Sequence, residues 1–175
     1  MKPCDSTGKK IEPMTRVLAP ILNTILFTIF VPGTVAVLIP RWLVGGFPSP
    51  QPGVLTWLGA LITLIGAAIY FRCAWEFAVR GLGTPAPIAP TKFLVTTALH
   101  RYVRNPMYIG VALVIVGEAV LFRKSHLAEY AAIMLLIAHT FVVLYEEPTL
   151  HRQFGESYDA YRRSVPRWIP KFKAD

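Results

Sequence analysis

The side chains best suited to chemistry in this sequence are two adjacent carboxylates, Glu146 and Glu147. They follow an uncharged run over 130–145, so we expect them where an apolar helix ends. Carboxylates at that end of a helix meet the negative end of its dipole, and they also repel each other. A positive group must therefore neutralise them. This is either a cationic ligand or nearby arginines, for which the candidates are Arg101, Arg104 and Arg152.

A second group of polar side chains precedes Pro106. Proline is favoured in the first turn of a helix and Asn105 can cap the exposed N–H groups, so the pair predicts a helix that begins at Pro106. Capping does not explain the other polar residues here, namely His100, Arg101, Tyr102, Arg104 and Tyr108. A helix amino terminus also binds carboxylates. Placed opposite the acid pair, it would complete a pocket with an anion-binding side and a cation-binding side, which suits a zwitterion.

The composition indicates that membrane helices position both groups. Of 175 residues, 54% are hydrophobic and 16% are charged, against about 25% charged in soluble domains. This composition excludes a disordered chain. A membrane-spanning helix needs about 20 apolar residues, and four runs are candidates: 17–39, 54–71 extending towards Phe77, 106–122 and 127–145. We therefore expect an all-α, polytopic helical bundle with four transmembrane helices.

Local features predict how these helices pack. Pro32-Gly33 should distort the first span, which neighbouring helices can accommodate in a membrane. In the second span Gly59, Thr63 and Ala67 recur every four residues, a stripe of small side chains that allows close approach of another helix. Only the four residues 123–126 separate the third and fourth spans, so these two should form a tight antiparallel hairpin.

The positive charge is distributed unevenly along the chain. The net charge of +8 would suggest nucleic acid binding in a soluble protein, but here we interpret it as a topology signal and expect no nucleic acid partner. The amino-terminal tail, the loop over 78–105 and the carboxyl-terminal segment hold most basic residues, namely Lys2, Lys9, Lys10, Arg16, Arg80, Lys92, Arg101, Arg104, Arg152, Arg162, Arg163, Arg167, Lys171 and Lys173. Both termini and this loop should therefore be cytoplasmic, with Trp42, Trp57 and Trp75 at the membrane interfaces.

The domain organisation follows from these assignments as a single membrane domain over 1–175. Its parts are a cytoplasmic tail over 1–16, two spans over 17–77, a cytoplasmic loop over 78–105, a hairpin over 106–145 and a cytoplasmic tail over 146–175. In that tail we predict one amphipathic, interfacial helix over 150–161. Its apolar face is formed by Leu150, Phe154, Tyr158 and Tyr161. It either anchors the chain or covers the pocket.

The remaining polar residues give weaker signals. Arg72 and Glu76 are four residues apart and should pair. Glu118 should pack or extend to the far membrane face, and His139 should be an interior histidine with its hydrogen bonds satisfied. We expect His126 in a loop. Cys4 and Cys73 should be reduced thiols, and two cysteines without clustered histidines predict no metal site.

Several short motifs occur in order around the predicted hairpin. They are Gly81-Leu82-Gly83-Thr84, Leu94-Val95, Arg104-Asn105-Pro106-Met107-Tyr108-Ile109-Gly110, Glu146-Glu147, Phe154-Gly155, Tyr158, Tyr161 and Val165-Pro166. Over residues 78–170 the chain resembles the integral-membrane methyltransferases that include isoprenylcysteine carboxyl methyltransferase and the phospholipid N-methyltransferases. The resemblance implies S-adenosylmethionine as cofactor, S-adenosylhomocysteine as product and a lipophilic acceptor that enters from the bilayer.

The resemblance also implies which residues bind this cofactor, with Glu146 and Glu147 as candidate catalytic residues. The cofactor-binding set is Lys92, Phe93, Leu94, Val95, His100, Arg104, Asn105, Pro106, Met107, Tyr108 and Glu146. A carboxylate acceptor needs no base, whereas an ammonium acceptor must first lose a proton, which either acid can take. The remaining catalysis would be positioning and exclusion of water.

Two positions depart from the family pattern. Many relatives read Gly-Pro-Tyr where this chain has Ala98-Leu99-His100. In the isoprenylcysteine enzymes an arginine thought to hold the substrate occupies the position of Val142. An isoprenylcysteine-like carboxylate, a lipid amine, another lipid acid and a small apolar molecule all remain open as acceptor.

Two other functions compete with the methyltransferase. A membrane reductase of the sterol-reductase type shares the hairpin plan and would bind NADPH. A small membrane scaffold or transporter subunit would bind neither cofactor, but the acids lie at the predicted membrane rim rather than at the midplane that transporters use. For the methyltransferase we expect membrane lipids as surroundings and an active site that faces the cytoplasm; the oligomeric state stays open.

Overall fold

The computed structural model describes residues 13–79 and 93–171, with side chains from residue 21 onward. Every regular element within these ranges is helical, which confirms the predicted all-α class. Several residues with predicted roles lie outside the described residues, namely Lys2, Cys4, Lys9, Lys10, Arg80, Gly81-Leu82-Gly83-Thr84, Lys92 and Lys173.

Seven α-helices follow one another along the described chain. They are α1 (Pro13–Phe30), α2 (Ile39–Leu43), α3 (Val54–Val79), α4 (Pro106–Phe122), α5 (Ser125–Phe141), α6 (Glu147–Phe154) and α7 (Glu156–Ser164). Two π-helical segments, Thr34–Leu38 and Val142–Glu146, join α1 to α2 and α5 to α6, and a short 3-10 helix, Ala98–Arg101, precedes α4.

Three helical segments are long and apolar enough to cross a membrane: Ile21–Leu43, Val54–Val79 and Ser125–Phe154. Their outer faces expose large apolar side chains, including Trp42 and Trp57, as expected of helices that lie in lipid. The chain is therefore an integral membrane protein. The helix α4 is equally apolar but has 17 residues, fewer than the roughly 20 of an average span. That α4 forms a fourth span, and that both termini are cytoplasmic, stay predictions.

The first span is irregular where Pro32-Gly33 predicted a distortion. The α-helix is interrupted at Val31 and continues as a π-helix from Thr34. Proline has no N–H to donate and π-helical turns absorb such defects, which explains the position of the irregular segment.

Glycines bring α3 and α4 into backbone contact, the most extensive helix–helix contact in the described structure. Gly59 and Gly66 of α3 lie against Gly117 and Gly110 of α4, and a Cβ atom on Gly66 would lie 2.7 Å from the backbone of the partner helix. The predicted stripe contained Gly59 and Thr63 of this contact but missed Gly66. Two glycines seven residues apart lie on one helix face, so this spacing was also a signal.

The hairpin between α4 and α5 is tighter than predicted. Helix α5 begins at Ser125, so only Arg123 and Lys124 connect the two helices and the prediction of His126 in a loop was wrong. Arg123 adopts a left-handed conformation with φ of 56°, which ends α4 abruptly.

The acid pair does not lie at a helix end, which corrects the prediction. The π-helix Val142–Glu146 joins α5 to α6, so Glu146 and Glu147 lie inside a helical stretch that continues to Phe154. The proline that follows them, Pro148, falls in the first turn of α6, where a missing N–H is tolerated. The helix therefore continues through Pro148, although a proline often marks the end of a helix in sequence.

The single helix predicted over 150–161 was also wrong. Gly155 has φ of 51° and separates α6 from α7, because a residue in this conformation cannot continue a right-handed helix. Helix α7 buries Tyr158 and exposes Arg162 and Arg163. That the tail forms an amphipathic helix at the membrane interface stays a prediction.

Gly66→Ala should destabilise the protein by about 2 kcal/mol, since the new methyl group overlaps the backbone of α4. Thermal unfolding in mild detergent measures the change. Gly33→Ala is the matched control. It has helical φ of −62° and its Cβ would lie 3.4 Å from its nearest neighbour, so we expect no loss of stability and a gain of at most about 1 kcal/mol. Equal loss in both variants would contradict close packing of α3 on α4.

Candidate functional site

A cavity of about 520 Å³ lies between the first span, α3, α4 and the α5–α6 stretch. One group of lining residues is polar and comes from the start of α4, the segment before it, the α5–α6 junction and the end of α6: His100, Arg104, Asn105, Tyr108, Glu146 and Gln153. The rest of the wall is largely apolar, with Phe27, Val31, Val35, Ile115, Met134 and Phe141. A ligand with a charged end and an apolar neighbour fits such a cavity.

The structure brings together most of the predicted site residues. The cavity is lined by His100, Arg104, Asn105, Pro106, Met107, Tyr108 and Glu146. Of the predicted segment before them, Phe93 is exposed, Leu94 is partly buried and Val95 is buried, and none of these three lines the cavity. Lys92 lies outside the described residues. Sequence reasoning missed the apolar wall from the first span and α5, because apolar residues in a membrane helix carry no local sign of a cavity.

Glu146 is the acid of the pair that lines the large cavity. The hydroxyl of Tyr108 donates a hydrogen bond of 3.0 Å to its Oε2. This bond joins the first turn of α4 to the π-helix that precedes α6. The carboxylate is thus fixed at the cavity wall by a neutral partner.

Glu147 has a different environment and lines a smaller neighbouring pocket instead. Its carboxylate is buried and accepts hydrogen bonds of 2.9 Å from Arg104, and of 2.7 and 3.0 Å from the two ends of the Arg167 guanidinium. These bonds raise the pKa of Arg167. Neutralisation by arginines, one of the two hypotheses for the pair, therefore describes Glu147. Arg104 was expected in this role.

The other two arginines proposed for the pair lie elsewhere. Arg101 covers the ring of Tyr102, and Arg152 donates to Thr149. Arg167 was missed, because it lies twenty positions after Glu147 and no local periodicity links the two.

Arg104 has one hydrogen-bond donor without a partner in the described structure. Its Nη1 contacts Glu147 and also the hydroxyl of Tyr158 at 3.2 Å, whereas its buried Nε has no hydrogen-bond partner within the described structure. The side chain is only 9% exposed and lines the cavity. An unpaired buried donor is costly, so this nitrogen suits an anionic ligand.

Asn105 does not cap α4, which was the prediction for its side chain. No side chain caps this helix, and the amide of Asn105 instead donates to the backbone oxygen of Arg167 at 3.2 Å. The side chain is drawn away by the carboxyl-terminal segment. The amino terminus of α4 therefore keeps its affinity for an anion beside Arg104.

The carboxyl-terminal segment, residues 165–171, is held against this site by hydrogen bonds and ring packing. Arg104 donates its backbone N–H to Pro166, and Lys171 donates to Tyr102. The indole of Trp168 packs edge-on against Tyr108 and donates to Nδ1 of His139 at 3.0 Å. His139 is thus an exposed residue with a partner from the tail, not the interior residue that was predicted.

His100 is buried in the cavity wall at 4% exposure. Its ring lies edge-to-face against Phe77, and its backbone oxygen accepts from the hydroxyl of Tyr161 at 2.6 Å. Burial lowers the pKa of His100 to about 4, although the carboxylate of Glu76 acts in the opposite direction. The ring is therefore neutral at physiological pH.

The predicted pair of Arg72 and Glu76 is confirmed, with a distance of 2.6 Å. Glu76 also accepts a hydrogen bond of 2.7 Å from Thr97, just before the 3-10 helix. Glu118 is buried in α4 and does not line the cavity, which agrees with packing rather than extension to the membrane face.

The sequence of this chain is similar to those of known methyltransferases. A model of the phospholipid methyltransferase family matches residues 54–157. The chain is 39% identical over 83 residues to methanethiol S-methyltransferase of Crocosphaera subtropica, covering 46% of this chain and 30% of that protein. It is 32% identical over 77 residues to protein-S-isoprenylcysteine O-methyltransferase of Schizosaccharomyces pombe, covering 44% of this chain and 33% of that protein. The matches thus span about a third of the length of these curated relatives.

Glu147→Gln should destabilise the protein by about 2–3 kcal/mol, because it leaves two guanidinium groups without their carboxylate. The loss should be smaller than for a fully buried ion pair, because Arg167 is partly exposed. Chemical unfolding in detergent measures the loss. Glu156→Gln, an exposed acid at the start of α7, should change stability by at most about 0.5 kcal/mol. A loss no larger than that of the control would contradict the ion-pair assignment.

Stability should also fall in acid because of His100. Its folded-state pKa of about 4 lies below the usual 6.5, so its contribution is complete above pH 6.5 and is lost as the pH falls towards 4. The difference corresponds to about 3 kcal/mol. Between pH 7.5 and 4, the free energy of unfolding should therefore fall more steeply with decreasing pH in the parent than in His100→Gln. His151→Gln, at an exposed histidine, should follow the parent.

Proposed function

Because the chain belongs to the phospholipid methyltransferase family, we propose that it is an integral-membrane methyltransferase that uses S-adenosylmethionine and acts on a lipophilic acceptor. The observation that carries the proposal is the cavity. It combines a carboxylate, an unpaired arginine donor and an uncapped helix amino terminus with an extensive apolar wall.

The polar lining residues fit the charged groups of this cofactor. Its amino acid portion carries an ammonium, which the carboxylate of Glu146 would hold, and a carboxylate, for which Nε of Arg104 and the amino terminus of α4 are the donors. The aromatic ring of Tyr108 adds a surface suited to a cation. When bound, the cofactor supplies a methyl group on a positively charged sulfur.

The residues of this chain would then act mainly by position. Glu146 and Tyr108 orient the charged end, and the apolar wall excludes water from the reacting atoms. Glu147 lies behind Arg104 rather than in the cavity, so we assign it the role of holding this arginine in place. An amine acceptor would lose its proton to Glu146, the acid that lines the cavity.

The acceptor would occupy the apolar part of the cavity, beside the first span and α5. The names of the two relatives indicate acceptors with different nucleophiles, a thiol in one and an isoprenylcysteine carboxyl group in the other. Either kind, or a lipid amine, has the apolar character that this wall requires. We propose that the site faces the cytoplasm, as the distribution of basic residues along the chain indicates.

Calorimetry of the detergent-purified protein with S-adenosylhomocysteine tests this function. We expect binding by the parent, and affinity about tenfold or more weaker for Glu146→Gln, which loses a charged hydrogen-bond acceptor. Glu156→Gln is the control and should bind like the parent.

Absence of binding by the parent protein would contradict the methyltransferase. Thermal stabilisation by NADPH in place of S-adenosylhomocysteine would favour the sterol-type reductase, since a ligand of the folded state raises its stability by mass action. Unchanged affinity in Glu146→Gln would contradict the assigned role of this acid.

A further inference from the structure

One ring in the cavity wall is held in place, and one of its nitrogens has no hydrogen-bond partner in the described structure. Nδ1 of His100 is buried and makes no hydrogen bond to any described residue. The backbone of this residue is fixed on both sides, by its N–H to Thr97 and by its carbonyl to Tyr161. Phe77 fixes the plane of the ring. A costly unpaired nitrogen in a rigid wall indicates that its partner is a ligand.

A carboxylate near His100 partly offsets the effect of burial on the protonated ring. Glu76 is a buried carboxylate of α3, held by Arg72 and by the hydroxyl of Thr97, and its charge stabilises an imidazolium at His100. The hydroxyl of Tyr161 in α7 donates to the backbone oxygen of His100, and Arg104 before α4 lines the same cavity. The ring is thus neutral at rest, with a negative charge behind it.

We propose that His100 is a catalytic base for a thiol acceptor, and this rests on the proposed methyltransferase function. The thiol sulfur forms a bond to the methyl carbon while the bond from that carbon to the donor sulfur breaks. The electron pair of the broken bond goes to the donor sulfur, which becomes a neutral thioether, and the thiol proton goes to His100.

The weak basicity of a buried imidazole selects a thiol among possible acceptors. A neutral thiol that gains a methyl group becomes a protonated thioether, which is so strong an acid that even a weak base removes its proton. A methylated amine keeps its extra proton at neutral pH against such a base, and a carboxylate has no proton to lose. A neutral imidazole that accepts protons only from strong acids can therefore act as the base in the methylation of a thiol.

Methylation of ethanethiol by the full-length protein in detergent tests the proposal. In the parent, kcat/KM should be nearly constant from pH 6 to 8, because His100 accepts the proton throughout. In His100→Gln it should be lower on the order of 100-fold at pH 6 and should rise about tenfold per pH unit, since only the free thiolate then reacts. Because His100 also belongs to the cofactor-binding set, the affinity for S-adenosylhomocysteine can fall in this variant, but by much less than the rate at pH 6. His151→Gln should match the parent throughout.

A second measurement needs neither turnover nor a folded variant. In parent protein with isotope-labelled histidine and no methyl donor, ethanethiol should shift the resonances of the ring that stays neutral at pH 5, which identifies His100. Resonances of the exposed His126 and His151 should not move.

Three results would overturn the proposal. The first is that kcat/KM of His100→Gln depends on pH as in the parent. The second is that the loss of S-adenosylhomocysteine affinity in this variant accounts for its whole loss of rate. The third is that the parent methylates lipid amines but not ethanethiol. In the third case the methyltransferase function would stand. Absence of S-adenosylhomocysteine binding by the parent would overturn both.

Discussion

The ion pairs of Glu147 are the interaction on which the rest of the site depends. This buried carboxylate joins three parts of the chain: α6, the segment before α4 through Arg104, and the carboxyl-terminal tail through Arg167. Two guanidinium groups satisfy both of its oxygens, and Arg104 uses Nη1 in this pair while its Nε has no partner in the described structure. Without Glu147, the guanidinium groups of Arg104 and Arg167 would lose the carboxylate that they share, and Arg104 would no longer be held at the cavity wall.

Adjacent positions in sequence have different roles because of the helix geometry between them. Successive residues of a helix point about 100° apart, so Glu146 lines the large cavity while Glu147 lies behind it. The π-helical turn that ends at Glu146 and the proline after Glu147 set this orientation without ending the helix. The two hypotheses for the acid pair, neutralisation by arginines and binding of a cation, thus apply to different members of it.

Local patterns in the sequence predicted the helices that carry the site, but not the contacts that hold the carboxyl-terminal segment against it. Apolar runs and Pro106 predicted α3 and α4 closely, and the polar residues around Asn105 and Glu146 do line one cavity. The contacts of Arg167, Trp168 and His139 were missed, because they join residues far apart in sequence and depend on the turn at Gly155. The side chain of Asn105 was assigned to the helix that follows it, whereas a backbone oxygen of the distant tail competes successfully for its amide.

The glycine contact between α3 and α4 fixes the spacing of two helices that line the cavity. Backbones that touch without intervening side chains have no rotamers to change, so α3 and α4 cannot shift relative to each other without losing this contact. The first span and α5 contribute side chains such as Val31, Met134 and Phe141. Met134 can fill space in several shapes. The volume offered to an acceptor is therefore easier to adjust at the first span and α5 than by a change in the spacing of α3 and α4.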